Sequence, residues 1–294
     1  MTLTGLLNLH KPPGMTSREA VDCVKRWVRP AKTGHAGTLD PLASGVLVVA
    51  VGSATRLIEY VQAMPKSYVG TFLLGRESST EDIEGEVRTL ADAPTPSVTQ
   101  LREAAARLTG EIEQRPPAFS ALKVQGRRAY DLARAGLSVE LAPRPVTIHR
   151  LDVLRYEYPE VVLDVECSSG TYIRSLGRDL AAAVGTAAVM SALVRTAIGS
   201  FRLDDATHPD ELDQHLVRER LLAPRKAVAA LPIAQLTDEQ LRRVRNGLPI
   251  AHPIYSEATF DQTAEVAGID ADGQLAAILA PRPDGQLWPV KNLG

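Results

Sequence analysis

The feature that most constrains the fold is a polar, glycine-bracketed segment that leads directly into a continuous apolar run. Residues 34–45 are glycine-rich and polar, whereas Val46 to Val51 contains only Val, Leu and Ala. The run predicts a buried strand and the segment before it predicts a loop. One carboxylate, Asp40, lies in that loop, and Pro41 restricts the backbone of Asp40 to extended conformations. The fold must therefore hold a single acid at the mouth of a buried strand.

Two interpretations of this loop are open from the residues alone. Gly37 and Gly45 allow the main chain to approach a ligand closely, and a carboxylate held rigidly at a strand mouth suits a nucleophile or a base. However, an Asp that precedes a Pro also commonly caps a turn, and this second interpretation is the more frequent one.

Composition narrows the class of protein. A chain of 294 residues suits one large domain plus a small one. The two cysteines, Cys23 and Cys167, lie far apart, which argues against a disulfide scaffold and is typical of a reducing cytoplasm. No apolar stretch approaches the roughly 20 residues of a membrane span, and the N-terminus does not resemble a signal peptide. We therefore expect a cytoplasmic protein without a membrane partner.

Charge is unevenly distributed. The net charge of the chain is −2, but residues 114–150 contain seven positively and two negatively charged residues, a local net charge of +5. A basic patch of this kind is what a phosphate-contacting surface needs. An ordinary solvated face would look the same, so the patch does not by itself predict nucleic-acid binding.

Periodicity predicts a mixture of strands and helices without strict alternation, hence an α/β (α+β) fold with a mixed, largely antiparallel sheet. Ser17 is interpreted as the N-cap of a first helix that ends near Val28. The expected strands are residues 5–9, 46–51, 68–74, 146–156 and 160–167, and the last two are expected to form a hairpin. The expected helices are residues 17–28, 54–63, 94–108, 172–184 and 238–245, with a further one from about residue 129. A composition shift at residues 221–231 predicts a boundary between domains at 1–230 and 231–294.

The loop sequence GHAGTLDPLASGVL at residues 34–47 resembles the signature loop of TruB-type pseudouridine synthases, G-H-x-G-x-L-D-P-x-A-x-G-x-L. The match extends over fourteen positions and is far more specific than a lone glycine motif. Five further segments resemble the same family in the same order: GLLNL with KPPGMTS (5–17), KSY (66–68), QRPPAFSALK (114–123), GTYIRSL (170–176) and LVRT (193–196). The resemblance covers residues 5–201.

The resemblance implies a role for individual residues. Asp40 matches the catalytic nucleophile, Arg174 the arginine that pairs with it, and Tyr68 the tyrosine that stacks on the target uracil and acts as a base late in the reaction. His35 matches the histidine that fills the space left by the flipped nucleotide. Tyr172 and Leu193 match the walls of the substrate pocket.

The resemblance also implies the wider function. It predicts isomerisation of the T-loop uridine at position 55 of tRNA, with no cofactor and no metal. The tRNA T-arm would be the partner, and a thumb at residues 114–136 would grip it through Lys123, Arg127 and Arg128. The pseudouridine synthase fold would be followed by a small β-rich, PUA-like RNA-binding domain. No protein partner is implied, and a monomer is expected because no long exposed apolar segment stands out.

The sequence departs from the family pattern at two positions. Val189 and Val194 stand where the family often has a His and an Arg, so the affinity for RNA in the region near the substrate is in question.

Three alternative functions remain open. A synthase that acts on another RNA, including a guide-dependent one, would share most of these motifs. A non-catalytic tRNA-binding or tRNA-folding protein, or an N-glycosylase that releases uracil, would use the same fold or the same Asp.

Overall fold

The computed structural model describes residues 3–117, 119, 141–251 and 264–293, together with the backbone of residues 123–124 and 127–128. The strands are β1 (Gly5–Lys11), β2 (Thr33–His35), β3 (Ser44–Val51), β4 (Lys66–Leu74), β5 (Arg76–Glu77), β6 (Arg88–Thr89), β7 (Gly110–Gln114), β8 (Lys123–Val124), β9 (Arg127–Arg128), β10 (Arg144–Glu157), β11 (Glu160–Cys167), β12 (Ala188–Ile198), β13 (Phe201–Arg202), β14 (Ile233–Gln235), β15 (Ile250–Ala251), β16 (Val266–Ile269), β17 (Leu275–Pro281) and β18 (Gln286–Asn292).

Helices connect and cover these strands. The α-helices are α1 (Ser17–Val28), α2 (Ile58–Ala63), α3 (Val98–Arg107), α4 (Ile173–Ala183), α5 (Gln214–Glu219) and α6 (Asp238–Arg245). Short 3-10 helices occupy Gly52–Leu57, Leu203–Asp205, Pro209–Glu211 and Pro224–Val228. None of the helices in the described ranges is long and apolar enough to cross a membrane.

The main sheet has the order β1-β3-β12-β4-β11-β10-β7, with β2 paired to β3 and β13 to β12. Its strand pairs are antiparallel except for β12 with β3. The prediction of a mixed, largely antiparallel sheet is confirmed. The register sets Arg195 of β12 opposite both Gly45 of β3 and Tyr68 of β4. The segment before β3, residues 36–43, is called the Asp40 loop below, and it therefore lies beside the centre of the sheet.

Strand β3 explains the apolar run in the sequence. Val46, Val48 and Ala50 pack into one hydrophobic cluster, whereas Leu47, Val49 and Val51 pack into another with helix α1. Because successive side chains of a strand point to opposite faces, a strand with both faces covered needs apolar residues at every position.

Helix α1 has the predicted bounds, but its N-cap lies one residue before the predicted one. The N-cap is Thr16, not Ser17, because the Thr16 hydroxyl accepts from the N–H of Glu19 and the Glu19 carboxylate accepts from the N–H of Thr16 at 2.7 Å. This reciprocal pair is a capping box. The prediction of Ser17 as the N-cap was wrong, since its hydroxyl bonds to a distant segment instead.

The smaller sheet has the order β14-β16-β17-β18-β15. Ala267 and Ile278 of this sheet belong to the same hydrophobic cluster as Val46 and Val48 of β3. Polar contacts join the same two parts: the Ser53 hydroxyl donates to the carbonyl oxygen of Leu293 at 2.8 Å. The C-terminal sheet therefore shares part of its core with the main sheet.

Other elements lie close to their predicted positions. The helix expected at residues 54–63 divides into the 3-10 helix Gly52–Leu57 and the α-helix Ile58–Ala63. The predicted β10–β11 hairpin is present as an antiparallel pair. The helix expected within the insertion, from about residue 129, lies outside the described residues.

Candidate active site

The Asp40 loop is fixed by hydrogen bonds to its main chain. The Ser17 hydroxyl accepts from the N–H of Leu39 at 2.9 Å and donates to the Leu39 carbonyl oxygen at 3.0 Å. The carbonyl oxygen of Pro41 accepts from the N–H of Gly14 at 2.8 Å. Asp40 lies between these two fixed residues, so its side chain projects from an ordered backbone that sets its direction.

A buried lysine adds to this support. Lys11, at the end of β1, has no solvent exposure, and its Nζ donates to the carbonyl oxygens of Pro12 at 2.9 Å, Met15 at 2.6 Å and Pro41 at 3.4 Å. Burial is the main cause that lowers the pKa of Lys11 to about 8. The lysine thus ties the strand end and the turn after it to the Asp40 loop.

A buried arginine holds the start of the same loop. Arg195 is 1% exposed. Its guanidinium donates to the carbonyl oxygens of Val46 at 2.7 Å, Gly37 at 3.1 Å and Thr38 at 3.4 Å. Three carbonyl oxygens from β3 and from the Asp40 loop therefore converge on one side chain of β12.

Asp40 and Arg174 form an ion pair in which the two partners differ in exposure. An Oδ of Asp40 lies 3.1 Å from an Nη of Arg174, and the side-chain exposures are 40% for Asp40 and 9% for Arg174. Arg174 is the second residue of α4, two positions after the N-cap residue Tyr172. The guanidinium is thus buried in the protein, whereas the carboxylate paired with it is accessible to a ligand.

A second carboxylate, Asp82, contacts the same guanidinium. Its Oδ2 lies 3.4 Å from Arg174, and the Asp82 side chain is only 4% exposed. Its Oδ1 accepts from the Thr80 hydroxyl at 2.6 Å and from the N–H of Glu84 at 3.1 Å. Arg174 also donates to the carbonyl oxygens of Thr80 at 2.8 Å and Phe119 at 3.0 Å. The guanidinium is therefore oriented by a buried carboxylate and two carbonyls in addition to Asp40.

The segment that supplies Asp82 is itself anchored on α4 and β12. Glu81, with a φ of 62°, accepts from the Ser175 hydroxyl at 3.0 Å and forms an ion pair with Arg178. The N–H of Ile83 donates to the carbonyl oxygen of Met190 at 3.1 Å. A non-glycine residue in the left-handed region costs free energy, and here these contacts hold it in place.

Tyr68 lies inside the sheet next to this network. It is buried on β4 and shares a hydrophobic cluster with Leu39 of the Asp40 loop and with Leu193 of β12. Burial raises the pKa of the Tyr68 phenol, and the nearby charge of Arg195, together with a hydrogen bond from it, acts in the opposite direction. The phenol is consequently protonated at neutral pH.

Comparison with known proteins decides what kind of protein carries this arrangement. Residues 25–173 match the family model described as TruB family pseudouridylate synthase, N-terminal domain. The chain belongs to the TruB family. The matched residues include Asp40, Tyr68 and Asp82.

Individual relatives extend the similarity over nearly the whole TruB chain. A tRNA pseudouridine synthase B from Moorella thermoacetica is 42% identical over 290 residues, which cover 95% of this chain and 94% of the relative. A protein of the same name from an Arthrobacter species is 43% identical, over 95% of this chain and 93% of its own. A solved structure of an H/ACA RNP bound to a substrate RNA containing 2'-deoxyuridine has a TM-score of 0.74 at 25% identity, and the match covers 99% of this chain and 85% of that one.

Several residues singled out from the TruB motifs meet in space. Asp40 contacts Arg174 directly, and Tyr68 and Leu193 lie in one cluster with the Asp40 loop. Leu193 is buried, so it is part of the core as well as a neighbour of Tyr68. The catalytic and substrate-binding roles of these residues stay predictions.

His35 and Tyr172 flank the same region. His35 ends β2 immediately before the Asp40 loop, and its Nδ1 is buried without a hydrogen-bond partner among the described residues. Burial and the charge of Arg195 lower the pKa of His35, which favours the neutral imidazole. The main chain of Tyr172 is held by the Gln114 side chain, through bonds of 2.8 and 3.1 Å.

Sequence reasoning missed Asp82 and Arg195 as site residues. Asp82 lies in an acidic loop that matches none of the motifs used above, and Arg195 was noted only as part of LVRT. The available signal was that Arg195 is the one charged residue of a largely apolar strand, Ala188–Ile198. The side chains of Lys123, Arg127 and Arg128 lie outside the described residues, so the predicted thumb contacts stay predictions.

Proposed function

We propose that this TruB family member is a tRNA pseudouridine synthase that converts the T-loop uridine at position 55 into pseudouridine. The observation that carries the proposal is the ion pair between the exposed carboxylate of Asp40 and the buried guanidinium of Arg174. Such a pair presents an oriented carboxylate to a ligand. The names of the relatives support tRNA as the substrate class.

In the proposed reaction the N1–C1′ bond of the uridine breaks, the uracil turns, and a C5–C1′ bond forms. C5 loses its proton and N1 gains one, so the reaction is an isomerisation. Asp40 acts as the nucleophile, toward C1′ or C6 or in the formation of a glycal, and Arg174 holds its carboxylate in the required orientation. Because the target lies within a folded RNA loop, the nucleotide must be flipped out before it reaches Asp40.

Tyr68 has two proposed roles that differ in what they require. As a stacking surface for the uracil it needs only its ring, which is held by the sheet. As a base toward the C5 proton it must lose its own proton, which burial disfavours and the charge of Arg195 favours. The base role therefore depends on the cation beside it.

The remaining proposals concern the partner. Lys123, Arg127 and Arg128 contact tRNA phosphates and supply affinity rather than sequence readout. The C-terminal segment 231–294 acts as a PUA-like RNA-binding domain, and the enzyme works as a monomer in the cytoplasm on the T-arm. A supporting experiment compares modification of whole tRNA with modification of an isolated T-arm stem-loop, and determines the molar mass of the free enzyme in solution.

The deciding experiment uses tRNA that carries tritium at uridine C5, with no added cofactor. The wild type should release tritium to water, because C5 forms the new bond, whereas Asp40→Asn should release none. Asp152→Asn, on an exposed carboxylate of β10, is the matched control and should behave as the wild type. Release by Asp40→Asn would remove the aspartate from its role. Release of free uracil would instead indicate a glycosylase.

A further inference from the structure

Arg195 holds the Asp40 loop at both of its ends. Its backbone pairs in register with Gly45, where the loop enters β3, and a Cβ on Gly45 would lie 2.2 Å from the Arg195 carbonyl oxygen. Its side chain reaches back to the carbonyl oxygens of Gly37 and Thr38, where the loop begins. One residue therefore contacts both ends of the loop that carries Asp40.

Arg195 also lies beside Tyr68, across the edge of β12 that pairs with β4. Strand β12 lies between β3 and β4, and its register places Arg195 opposite Tyr68. The positive charge of the guanidinium also acts on the Tyr68 phenol and opposes the rise in pKa that burial causes. Arg195 is thus the link between the strand that carries the tyrosine and the loop that carries the aspartate.

A purely structural role explains this arrangement poorly. Among the described residues, no carboxylate lies within ion-pair distance of Arg195, although the side chain is 1% exposed. A buried charge without an ionised partner is costly, and well-packed apolar residues are often more stable at such positions. The guanidinium of Arg195 carries a planar fork of N–H donors. Unlike an apolar side chain, this fork can fix the direction of two carbonyl oxygens that lie within three residues of Asp40.

We propose that Arg195 is a positioning residue for the TruB reaction, which fixes the Asp40 loop relative to Tyr68 by holding the carbonyl oxygens of Gly37 and Thr38. Arg195 does not touch the substrate and acts through the geometry of Asp40. The inference rests on the proposed function, because it requires Asp40 to be the reacting carboxylate.

The test separates positioning from folding and from RNA binding. Arg195→Lys retains the positive charge but loses the fork, and Arg195→Met loses both. For each variant we would measure the single-turnover rate at saturating enzyme, the Kd for tRNA, the thermal stability, and hydrogen exchange at the Leu39 and Ala43 amides, which donate to Ser17 and to the carbonyl oxygen of Asp40. Leu279→Ala, in the core of the C-terminal sheet, serves as a control for lost stability.

The expected result for Arg195→Lys is a rate lower by about 10- to 100-fold, since a misplacement of about 1 Å can cost that much, with an unchanged Kd for tRNA and faster exchange at the two loop amides. Arg195→Met should lose more rate than Arg195→Lys. Leu279→Ala should lose stability but keep its rate and the protection of the loop amides. If Arg195→Met does not fold, Arg195→Lys decides alone.

Two outcomes would overturn the inference. A wild-type rate in folded Arg195→Lys would show that the fork is not needed, and a rate that falls only as far as that of Leu279→Ala would show a merely structural role. Asp40→Asn is measured in parallel so that the two proposals fail separately. Activity in Asp40→Asn rejects the proposed function, whereas inactive Asp40→Asn beside fully active Arg195→Lys rejects only the positioning role.

Discussion

At the scale of single residues, the notable feature is that one guanidinium serves two unequal carboxylates. Asp82 is buried and accepts two further hydrogen bonds, whereas Asp40 is 40% exposed. Since Asp82 and two carbonyls hold Arg174 on their own, the bond to Asp40 is the one that can be exchanged without disturbing the cation. An arrangement of this kind lets a carboxylate leave its partner during a reaction and return to it.

This view predicts the effect of Asp82→Asn. The loss of the buried charge should draw Arg174 more strongly toward Asp40, so we expect the single-turnover rate to fall by about 10-fold or more, with tRNA affinity retained. The measurement is tritium release at saturating enzyme beside a tRNA Kd. Asp152→Asn provides the comparison for a carboxylate that contacts no site residue. An unchanged rate in folded Asp82→Asn would reject the shared-cation account.

The buried lysines predict a dependence of stability on pH. The pKa values of Lys11 and Lys66 are each lowered to about 8 from an ordinary 10.5, with burial as the main cause. Between about pH 8 and 10.5 the unfolded chain binds more protons at these positions than the folded one, so their contribution to the free energy of unfolding rises with pH. Below pH 8 both lysines are charged in both states, and the contribution no longer changes.

Lys11→Met and Lys66→Met test this directly. The difference in free energy of unfolding between the wild type and each variant should grow from pH 8 to pH 9.5, as urea denaturation at several pH values would show. The two variants are compared with each other, because Lys11 contacts the Asp40 loop whereas Lys66 donates to the carbonyl oxygens of Gln62 and Met64. A change that both variants share is therefore not caused by the contact with the loop. A difference that stays constant over this interval would contradict the lowered pKa values.

At the scale of elements, the Asp40 loop depends on two glycines that meet different surroundings. Gly37 and Gly45 both have a φ of +106°, which L residues rarely adopt. A Cβ on Gly45 would lie 2.2 Å from the Arg195 carbonyl oxygen, whereas a Cβ on Gly37 would approach only the end of the Arg195 side chain, at 3.7 Å. An alanine at either position would therefore strain the backbone, but only an alanine at position 45 would also clash with β12.

The two alanine variants form a matched pair. We expect Gly37→Ala to lose about 1–3 kcal/mol of stability from backbone strain. Gly45→Ala should lose clearly more, because the parallel pairing of β12 with β3 must also open. Urea unfolding of both variants would measure the difference. Equal losses would mean that the close approach of Arg195 does not constrain this position.

Much of this element-level structure could be predicted from the sequence, and the exceptions have physical causes. The unbroken apolar run at 46–51 predicted β3 because both of its faces are buried. The N-cap was misplaced because Thr16 and Ser17 are both good caps, and only the tertiary bond from Ser17 to Leu39 distinguishes them. Asp82 could not be recognised, since its role arises from a loop that folds onto α4 from a position 92 residues earlier in the chain.

The residues of the candidate site likewise fall into those that the sequence predicted and those that it did not. Asp40, Arg174 and Tyr68 were predicted through the family resemblance, and the structure brings the first two into contact. The residues alone had favoured a turn cap for Asp40. Arg195 was missed because its side chain bonds to main-chain carbonyl oxygens about 150 residues away in the chain, and neither composition nor spacing records such contacts.

At the scale of the whole molecule, the C-terminal sheet and the main sheet share one hydrophobic cluster. Ala267, Ile269 and Ile278 belong to the same cluster as Val46 and Val48. Two side-chain contacts supplement it, a hydrogen bond of 2.7 Å from the Tyr60 hydroxyl to Glu265 and an ion pair between Lys291 and Glu59. A boundary at residue 230 therefore divides two sheets that share one of their hydrophobic clusters.

The shared cluster predicts a single cooperative unfolding transition. The chain has two tryptophans, Trp27 on α1 and Trp288 on β18, so Trp27→Phe and Trp288→Phe each leave one fluorescent reporter in one part. We expect the two urea transitions to coincide. Ile278→Ala, in the shared cluster, should destabilise both parts together by about 2–5 kcal/mol. Two separated transitions would establish independent domains instead.

The burial of β3 on both faces has a consequence for synthesis on the ribosome. The chain emerges from its N-terminus, so β3 and the loop before it are made early. The cluster that contains Val46, Val48 and Ala50 stays incomplete until residues 267–278 have followed, more than 200 residues later. Until then one face of the strand next to Asp40 lacks part of its cover. The residues around the aspartate are thus translated long before the cluster beside them can be completed.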